Sequence, residues 1–427
     1  MDKGDRLTLT IERPAAGGRM IARHEGAVVF VAGAIPGETV HAEVERVQRG
    51  LVWAVARDVL EPSTDRIVEA PDLDCGGNVL AHVRYERQLA IKREIIEDSL
   101  RRIGHLTPPR PIEVAASPID GYRMRARLHL RGGRIGFFRE ATHNLCEPRQ
   151  TRQLLPEAVD AVHRLGQALE AVDSTLAAEV DLSENIPATE RACHVEITRG
   201  RVGARLARQL KTIDGLTGAS FSLGGETRTR ELWGSPFVTD TLSVAMAGET
   251  RSMSLVRHAR AFFQGNRFVL EPLVQHVRST IAPGFIVDLY AGVGLFSIDA
   301  VIAGHGHALA IEGDDVAAAN LRRNAAQCAG DVRVRSESVE EFLAGPHANL
   351  SPTTVIVDPP RSGIAKEALA GVQRLQAPRL VYVSCDVATL ARDARLLTEG
   401  GYTIDAVTAF DLFPQTAHVE TVIVFSR

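Results

Sequence analysis

Two apolar stretches near the C-terminal end of the chain each deliver a reactive group to the point where a strand should stop. Val381-Tyr382-Val383-Ser384-Cys385-Asp386 reads as a buried strand with a thiol at its carboxyl end. A thiol at a ligand-binding edge is a candidate nucleophile, and an inert buried cysteine is the alternative. Val355-Ile356-Val357-Asp358-Pro359-Pro360-Arg361-Ser362-Gly363 ends a strand in an acid followed by two prolines. Two prolines neither continue a strand nor easily begin a helix, so they hold a rigid loop at the edge where parallel sheets bind ligands. Close to the C-terminus, Glu420 follows Thr416-Ala417-His418-Val419 and offers a carboxylate that can serve as a base. Alone it would read as a solvent-facing strand residue.

Upstream, Phe285-Ile286-Val287-Asp288-Leu289-Tyr290-Ala291-Gly292-Val293-Gly294 is a strand running into a glycine turn, and Leu295-Phe296-Ser297-Ile298 opens a helix. Glycines there let backbone approach a ligand closely. A dinucleotide fingerprint would put a third glycine where Ser297 stands, and here an Asp lies four residues before the first glycine. That arrangement suits S-adenosylmethionine, with Glu312 at the end of the next strand to accept ribose hydroxyls. A thiolate, a methyl donor and a base combine into one chemistry. Carbon 5 of uracil is a poor nucleophile until a thiolate adds at carbon 6, and a base must then remove the carbon-5 proton before the thiolate can leave.

These groups need a scaffold. From Phe285 onward short apolar strands alternate with helical stretches, ending near Asp288, Glu312, Asp358 and Cys385, the βαβ rhythm of a Rossmann-like, doubly wound sheet. Tyr402–Phe410 and Val419–Phe425 both read as strands without a helix between them, which predicts an antiparallel end to the sheet. Residues 6 to 61 contain about five short strands separated by turn signals at Pro14, Gly17-Gly18, Gly33 and Pro36-Gly37, the pattern of a small closed barrel of the oligonucleotide-binding kind. Glu61 to Leu73 reads as a linker, and Leu89 to Ile103 as a charged amphipathic helix. Arg123, Arg125, Arg127, His129 and Arg131 share one strand parity while Met124, Ala126, Leu128 and Leu130 share the other. The cationic face suits a phosphate backbone; a solvated outer face is the alternative. Residues 154 to 251, with a helix from Pro156 to Ala171, read as an insertion packed on a central α+β domain, and Cys193 within it as a small buried hydrophobe.

A chain of 427 residues exceeds one core, and we expect a barrel over 1–62, the central domain over 63–255 and the catalytic domain over 256–427. With 45% hydrophobic and 24% charged residues the composition is that of a globular protein. The net charge of -4 does not favour nucleic acid, yet Gly121 to Gln153 holds eight arginines against two glutamates. The opening residues do not read as a signal peptide, so we expect none, and no apolar stretch is long enough to cross a bilayer. Five scattered cysteines, odd in number, lead us to expect a reducing cytoplasm and no structural disulfide.

In these motifs the sequence resembles the RNA uridine-5 methyltransferases, specifically the ribosomal-RNA branch with an N-terminal TRAM barrel. The resemblance rests on Val29-Phe30-Val31 through Pro36-Gly37-Glu38, Phe262-Phe263-Gln264-Gly265-Asn266, the Asp288 to Gly294 turn, Asp358-Pro359-Pro360-Arg361 and Ser384-Cys385 with Thr389-Leu390-Ala391-Arg392-Asp393. Asp411-Leu412-Phe413-Pro414-Gln415-Thr416 leading into His418-Val419-Glu420 completes it. It implies Cys385 as nucleophile, Glu420 as base and cofactor contacts from Gln264, Tyr290, Glu312 and Asp358, with Gly292 in the glycine turn and Ser338 as a further contact. The implied partner is RNA, 23S ribosomal RNA first, with no membrane and no obligate protein partner. The branch often holds a 4Fe-4S cluster on four cysteines; here Cys75 and Cys146 match two of them, while Glu69 and Asn78 stand where the others would be, so a cluster held by four thiolates is not expected. Asp386-Val387 replaces the commoner Asn-Pro, and its carboxylate must point away from the thiol if the thiol is to ionise. Competing readings are a transfer-RNA uridine-5 enzyme, an RNA cytosine-5 methyltransferase, a non-catalytic ribosome-assembly factor and a dehydrogenase. Glu420 and the barrel count against the cytosine enzyme, the complete set of Cys385, Glu420 and Asp358 against the assembly factor, and the glycine spacing against the dehydrogenase.

Overall fold

The computed structural model describes every residue except 141, 174, 199–203, 247 and 346–349. Five strands come first: β1 (Arg6–Pro14), β2 (Met20–His24), β3 (Ala27–Ala32), β4 (Thr39–Gln48) and β5 (Leu51–Glu61). They close into a barrel in the order β1-β2-β3-β5-β4, with β3 and β5 parallel. Alternation explains it, because Leu7, Leu9 and Ile11 point inward between exposed neighbours and meet Val29, Val31, Val52 and Ala54 inside. Ile91 and Ile95 from helix α1 (Tyr85–Ser99) pack on the same core. One π-helical turn, Leu100–Gly104, extends that helix.

The chain then forms β6 (Glu113–Ala115), β7 (Arg125–Arg131), β8 (Arg134–Phe138), β9 (Leu145–Cys146), α2 (Pro148–Thr151), α3 (Pro156–Val172), β10 (Ala177–Glu184), β11 (Arg191–Ile197), α4 (Ala204–Leu210), β12 (Gly218–Leu223) and β13 (Arg230–Gly234). Seven of these strands make one sheet, β13-β12-β11-β10-β7-β8-β9, with the apolar side of α3 against it. Residues beyond 154 are therefore not an insertion resting on a finished domain, since β10 pairs directly with β7 and the sheet is continuous. The hairpin of β14 (Phe237–Met246) and β15 (Glu249–His258) follows.

The remaining elements are α5 (Leu270–Thr280), β16 (Gly284–Leu289), α6 (Leu295–Ile302), β17 (Gly306–Ile311), α7 (Asp315–Gln327), β18 (Val332–Arg335), α8 (Val339–Ala344), β19 (Thr354–Val357), α9 (Lys366–Arg374), β20 (Arg379–Ser384), α10 (Val387–Glu399), β21 (Thr403–Phe410) and β22 (Glu420–Ser426). Their sheet runs β18-β17-β16-β19-β20-β22-β21-β6. Strands β18 to β20 are parallel, and β22 lies antiparallel between β20 and β21, the expected antiparallel end. Edge strand β6 is unexpected: three residues preceding the central sheet pair in parallel with β21. The β14–β15 hairpin also packs on this unit. Leu242, Val244, Met253 and Leu255 share a core with α5 and α6, and the Asn324 side chain bonds the backbone of Val256 at both N and O.

Two expectations need correction. The face of Arg123, Arg125, Arg127 and His129 is not free, because β10 sets Glu179 opposite His129 and Asp181 opposite Arg127. Arg127 Nε donates to Asp181 at 3.1 Å, Arg125 lies 3.5 Å from the same carboxylate, and His129 Nδ1 is 3.3 Å from Glu179. Arg123 donates to the Gln153 side chain at 2.6 Å, and of this face only Arg131, at the hairpin turn, stands exposed without such a partner among the described residues. The second correction is a disulfide between Cys75 and Cys146, which the sequence separation of 71 residues concealed. A bridge between Cys75 and Arg139, together with β9 pairing on β8, brings the two cysteines together. No helix among the described residues is long and apolar enough to cross a membrane.

Candidate active site

Strands β16, β17, β19 and β20 all end at one edge of the sheet, so the residues that follow them converge there. Strand β22 runs the opposite way, and for that reason its first residue, Glu420, arrives at the same edge. Ser384 pairs with Thr421, so the residues beyond that pair, Cys385 and Glu420, come to the same edge, near enough for the Glu420 charge to act on the Cys385 thiol. Asp358 follows β19, its amide donating to the Leu289 carbonyl at 3.3 Å. Gln264 reaches in from the segment after β15 and donates to Asp358 Oδ2 at 3.2 Å. Tyr290 adopts a left-handed backbone at φ 62° and donates its hydroxyl to Glu340 at 3.1 Å.

The glycine turn fits a small ligand. Gly292 has φ +57° and no heavy atom within 4 Å of where a Cβ would stand, whereas a Cβ on Gly294 would strike Ile298 and Leu321. Glu312 accepts from the amides of Gly292 at 2.8 Å and Asp314 at 2.7 Å, which fixes its carboxylate and leaves acceptor capacity for hydroxyls. Asp288 is fully buried; its Oδ2 accepts from the Ser297 amide at 3.2 Å, and its Oδ1 has no partner among the described residues. An orphaned buried acceptor beside an open glycine cradle is the condition in which a polar ligand is expected.

Electrostatics sharpen the picture. Burial, then the charge of Glu312, pushes Asp288 up to about 7. Burial and the charge of Asp288 push Asp358 up to about 7, against the Gln264 hydrogen bond. Burial, then Asp358, raises Glu420 well above the ordinary carboxylate range, while Arg361 opposes. Burial and Glu420 together push the Cys385 thiol up to about 12, again with Arg361 acting the other way. Carboxylates crowded at one edge, each resisting ionisation because of the next, would be relieved by a cationic ligand.

Asp386 caps helix α10, accepting from the amides of Ala388 at 3.1 Å and Thr389 at 2.9 Å, so its charge is spent on the helix and not on the neighbouring thiol. Ser338 caps α8 in a reciprocal capping box with Glu341 and packs against Gly313, next to Glu312. The structure also assembles a support that sequence reasoning missed. Tyr85, Gln88 and Lys92 lie on one side of α1 and all hold the segment leading to Glu420. Tyr85 donates to Asp411 at 2.9 Å, Lys92 forms a fully buried ion pair with Asp411 and donates to the Phe413 carbonyl at 3.0 Å, and Gln88 exchanges two hydrogen bonds with Gln415. Asn266, two residues beyond Gln264, donates to the Leu412 carbonyl at 3.0 Å. The spacing of Tyr85, Gln88 and Lys92 on one helix side was the available signal, but nothing local says what they meet. Of the cysteine-cluster positions, Cys75 and Cys146 come together, whereas the buried Asn78 donates to the Asp72 carbonyl at 3.1 Å.

A Rossmann-like sheet with an antiparallel end, a glycine cradle and an acidic edge defines a methyltransferase architecture. Comparison with known proteins makes the class specific. Residues 221–427 match the family described as tRNA (Uracil-5-)-methyltransferase, and residues 2–55 match the TRAM domain. The chain is 32% identical to the 23S rRNA (uracil(1939)-C(5))-methyltransferase RlmD of Pseudomonas putida, over 99% of this chain and 94% of that one. An uncharacterised RNA methyltransferase of Corynebacterium efficiens is 30% identical over 100% of this chain and 96% of its own. The tRNA (uracil-54, C5)-methyltransferase of Pyrococcus abyssi, solved with S-adenosyl-L-homocysteine, shares the fold with a TM-score of 0.76 at 24% identity, covering 98% of this chain and 100% of that one. The chain belongs to the S-adenosylmethionine-dependent RNA (uracil-5-)methyltransferase family.

Proposed function

We propose that this enzyme methylates carbon 5 of a uridine in 23S ribosomal RNA, with Cys385 as nucleophile and Glu420 as the base. The observation that supports the roles is the antiparallel pairing of Ser384 with Thr421, which brings Cys385 and Glu420 to one edge, where the Glu420 charge acts on the thiol and Asp358 on Glu420. The ribosomal substrate rests on full-length relatives named as 23S rRNA enzymes, in Pseudomonas putida and in Azoarcus, the latter 31% identical over 98% of this chain. A transfer-RNA substrate is the second reading, favoured by the name of the Pyrococcus abyssi enzyme that shares the whole fold.

S-adenosylmethionine, when bound, supplies an electrophilic methyl group on a sulfonium. Gln264, Glu312 and Asp358 would hold it, with Gly292 leaving room and Tyr290 flanking the turn. Cys385, once its thiol proton has passed to solvent, adds its sulfur to carbon 6 of the uracil, and the electron pair of the 5,6 double bond moves onto carbon 5 and the adjacent carbonyl. Carbon 5 would then take the methyl group as the sulfonium carbon–sulfur bond breaks and S-adenosyl-L-homocysteine is left. Glu420 removes the carbon-5 proton, the double bond reforms and the Cys385 thiolate departs. A carboxyl group whose proton affinity is raised by burial suits the accepting role, and Arg361 together with a nearby cationic ligand favours its ionised form beforehand. The thiol starts poorly ionised, so Arg361 is the residue that counteracts burial and Glu420 during the first addition.

Mass-spectrometric mapping of 5-methyluridine in RNA from cells with and without the gene tests the substrate. Loss of one 5-methyluridine from 23S rRNA is expected; loss from transfer RNA alone would move the assignment to the second reading.

A further inference from the structure

Glu420 forms the terminal pair of the β21–β22 ladder, opposite Phe410, so the loop of residues 411–419 that enters β22 sets how firmly that end is held. The polar groups of this loop are answered from distant parts of the chain. Lys92 pairs with the Asp411 carboxylate and donates to the Phe413 carbonyl at 3.0 Å, the Tyr122 hydroxyl donates to the Pro414 carbonyl at 3.3 Å, and the Leu80 amide donates to the Gln415 carbonyl at 2.8 Å. Gln415 itself has a left-handed backbone, φ 67°, which a residue with a side chain adopts at a cost and keeps only when its surroundings insist. Gln88 supplies that insistence. Its Oε1 accepts from the Gln415 amide at 3.0 Å, and its Nε2 donates to Gln415 Oε1 at 2.9 Å and to the Val83 carbonyl at 2.8 Å. The helix that carries Gln88 and Lys92 also buries Ile91 and Ile95 in the barrel core, so the brace is anchored outside the catalytic sheet.

Cys385 is placed by a separate set of bonds. The Ser384 hydroxyl accepts from the Asp386 amide at 3.1 Å, and the Asp386 carboxylate caps α10. The nucleophile therefore stands on β20 and α10, and the base at the end of a loop braced by α1. We infer that Gln88 and Lys92 are positioning residues for the proton-removal step, holding the Glu420 carboxylate against carbon 5 once the methyl group is in place. Both side chains are fully buried, so they act through the loop and not on the RNA or the cofactor. The inference rests on the roles proposed above for Cys385 and Glu420. A residue that merely stabilised the fold would weaken attack, transfer and release together, whereas one that holds Glu420 slows only the last.

Full-length Gln88→Met removes both bonds to Gln415, keeps the length of the side chain and leaves the buried Lys92–Asp411 pair intact. The probe is whichever of the unmodified 23S and transfer-RNA transcripts the wild-type enzyme methylates, with methyl-labelled S-adenosylmethionine. In a single turnover, methyl transfer into RNA is expected within about threefold of wild type, while release of free methylated RNA slows at least about tenfold and labelled protein–RNA adduct accumulates. Lys92→Met/Asp411→Asn, which removes both buried charges together, is expected to shift the same way. Release at the wild-type rate, or transfer and release lost in equal measure, would overturn the positioning role, and adduct trapping by Glu420→Gln in the same assay would leave the roles of Cys385 and Glu420 standing. If Glu420→Gln itself traps no adduct, or wild-type enzyme methylates neither transcript, both readings fall. The two brace variants alter different bonds, so either one decides if the other does not fold.

Discussion

Two arginine-bearing strand faces in this molecule look alike in sequence and differ in the structure. Along β7, cations alternate with apolar residues, yet β10 supplies Asp181 and Glu179 opposite them, and the charges are neutralised within the sheet. On the barrel, Arg46 and Arg49 have no carboxylate within ion-pair distance among the described residues, and Arg46 lies over an indole. A cation's partner, not its periodicity, decides whether it is available to RNA. Counter-ions are released only by charges not already paired.

The largest effect is expected on β10, where Asp181→Ala should cost stability: Arg125 and Arg127 lose their shared acceptor, for about 1–3 kcal/mol in a urea melt, with RNA affinity no weaker. If Asp181→Ala leaves stability intact and alters RNA affinity strongly, the comparison is wrong. Single charge removals come next. Arg46→Ala or Arg49→Ala should each flatten the salt dependence of RNA binding by about one unit of slope, and Arg127→Ala should leave the slope unchanged.

A further effect concerns the catalytic edge, where like charges face one another. Burial raises Asp288 and Asp358 to about 7, above their values in an unfolded chain. The folded state therefore holds extra protons between about pH 4 and pH 7 and loses that stabilisation as pH rises through this window. A cationic cofactor prefers the ionised carboxylates. The rise in melting temperature caused by S-adenosylmethionine should thus be larger at about pH 8 than at about pH 5.5, and an equal rise at both would show that the carboxylates do not face the ligand.

Much of the catalytic edge was legible because its signals are local. Asp288, Glu312, Asp358 and Cys385 each follow an apolar run, and any parallel sheet collects such strand ends on one side. Glu420 was singled out by the chemistry and the resemblance, and its strand reaches that edge because it follows Tyr402–Phe410 with no helix between, which forces an antiparallel return. What escaped depends on distant pairing. Lys92 meets Asp411 across 319 residues, β6 joins an edge strand formed at the other end of the chain, and Cys146 finds Cys75 through the bridge between Cys75 and Arg139. Arg125 and Arg127 misled because alternation reports which face a residue occupies and says nothing of the strand beside it.

The division of labour between Cys385 and Glu420 is the central claim, and trapping the protein–RNA adduct tests it most directly. Wild-type enzyme, Cys385→Ala and Glu420→Gln are incubated with substrate RNA and methyl-labelled S-adenosylmethionine, then resolved on a denaturing gel. Cys385→Ala should form neither adduct nor product. Glu420→Gln should accumulate a slow-migrating adduct that carries the labelled methyl group, because attack and transfer precede the proton removal it lacks. Turnover at the wild-type rate by Glu420→Gln, or an adduct in Cys385→Ala, would contradict the account.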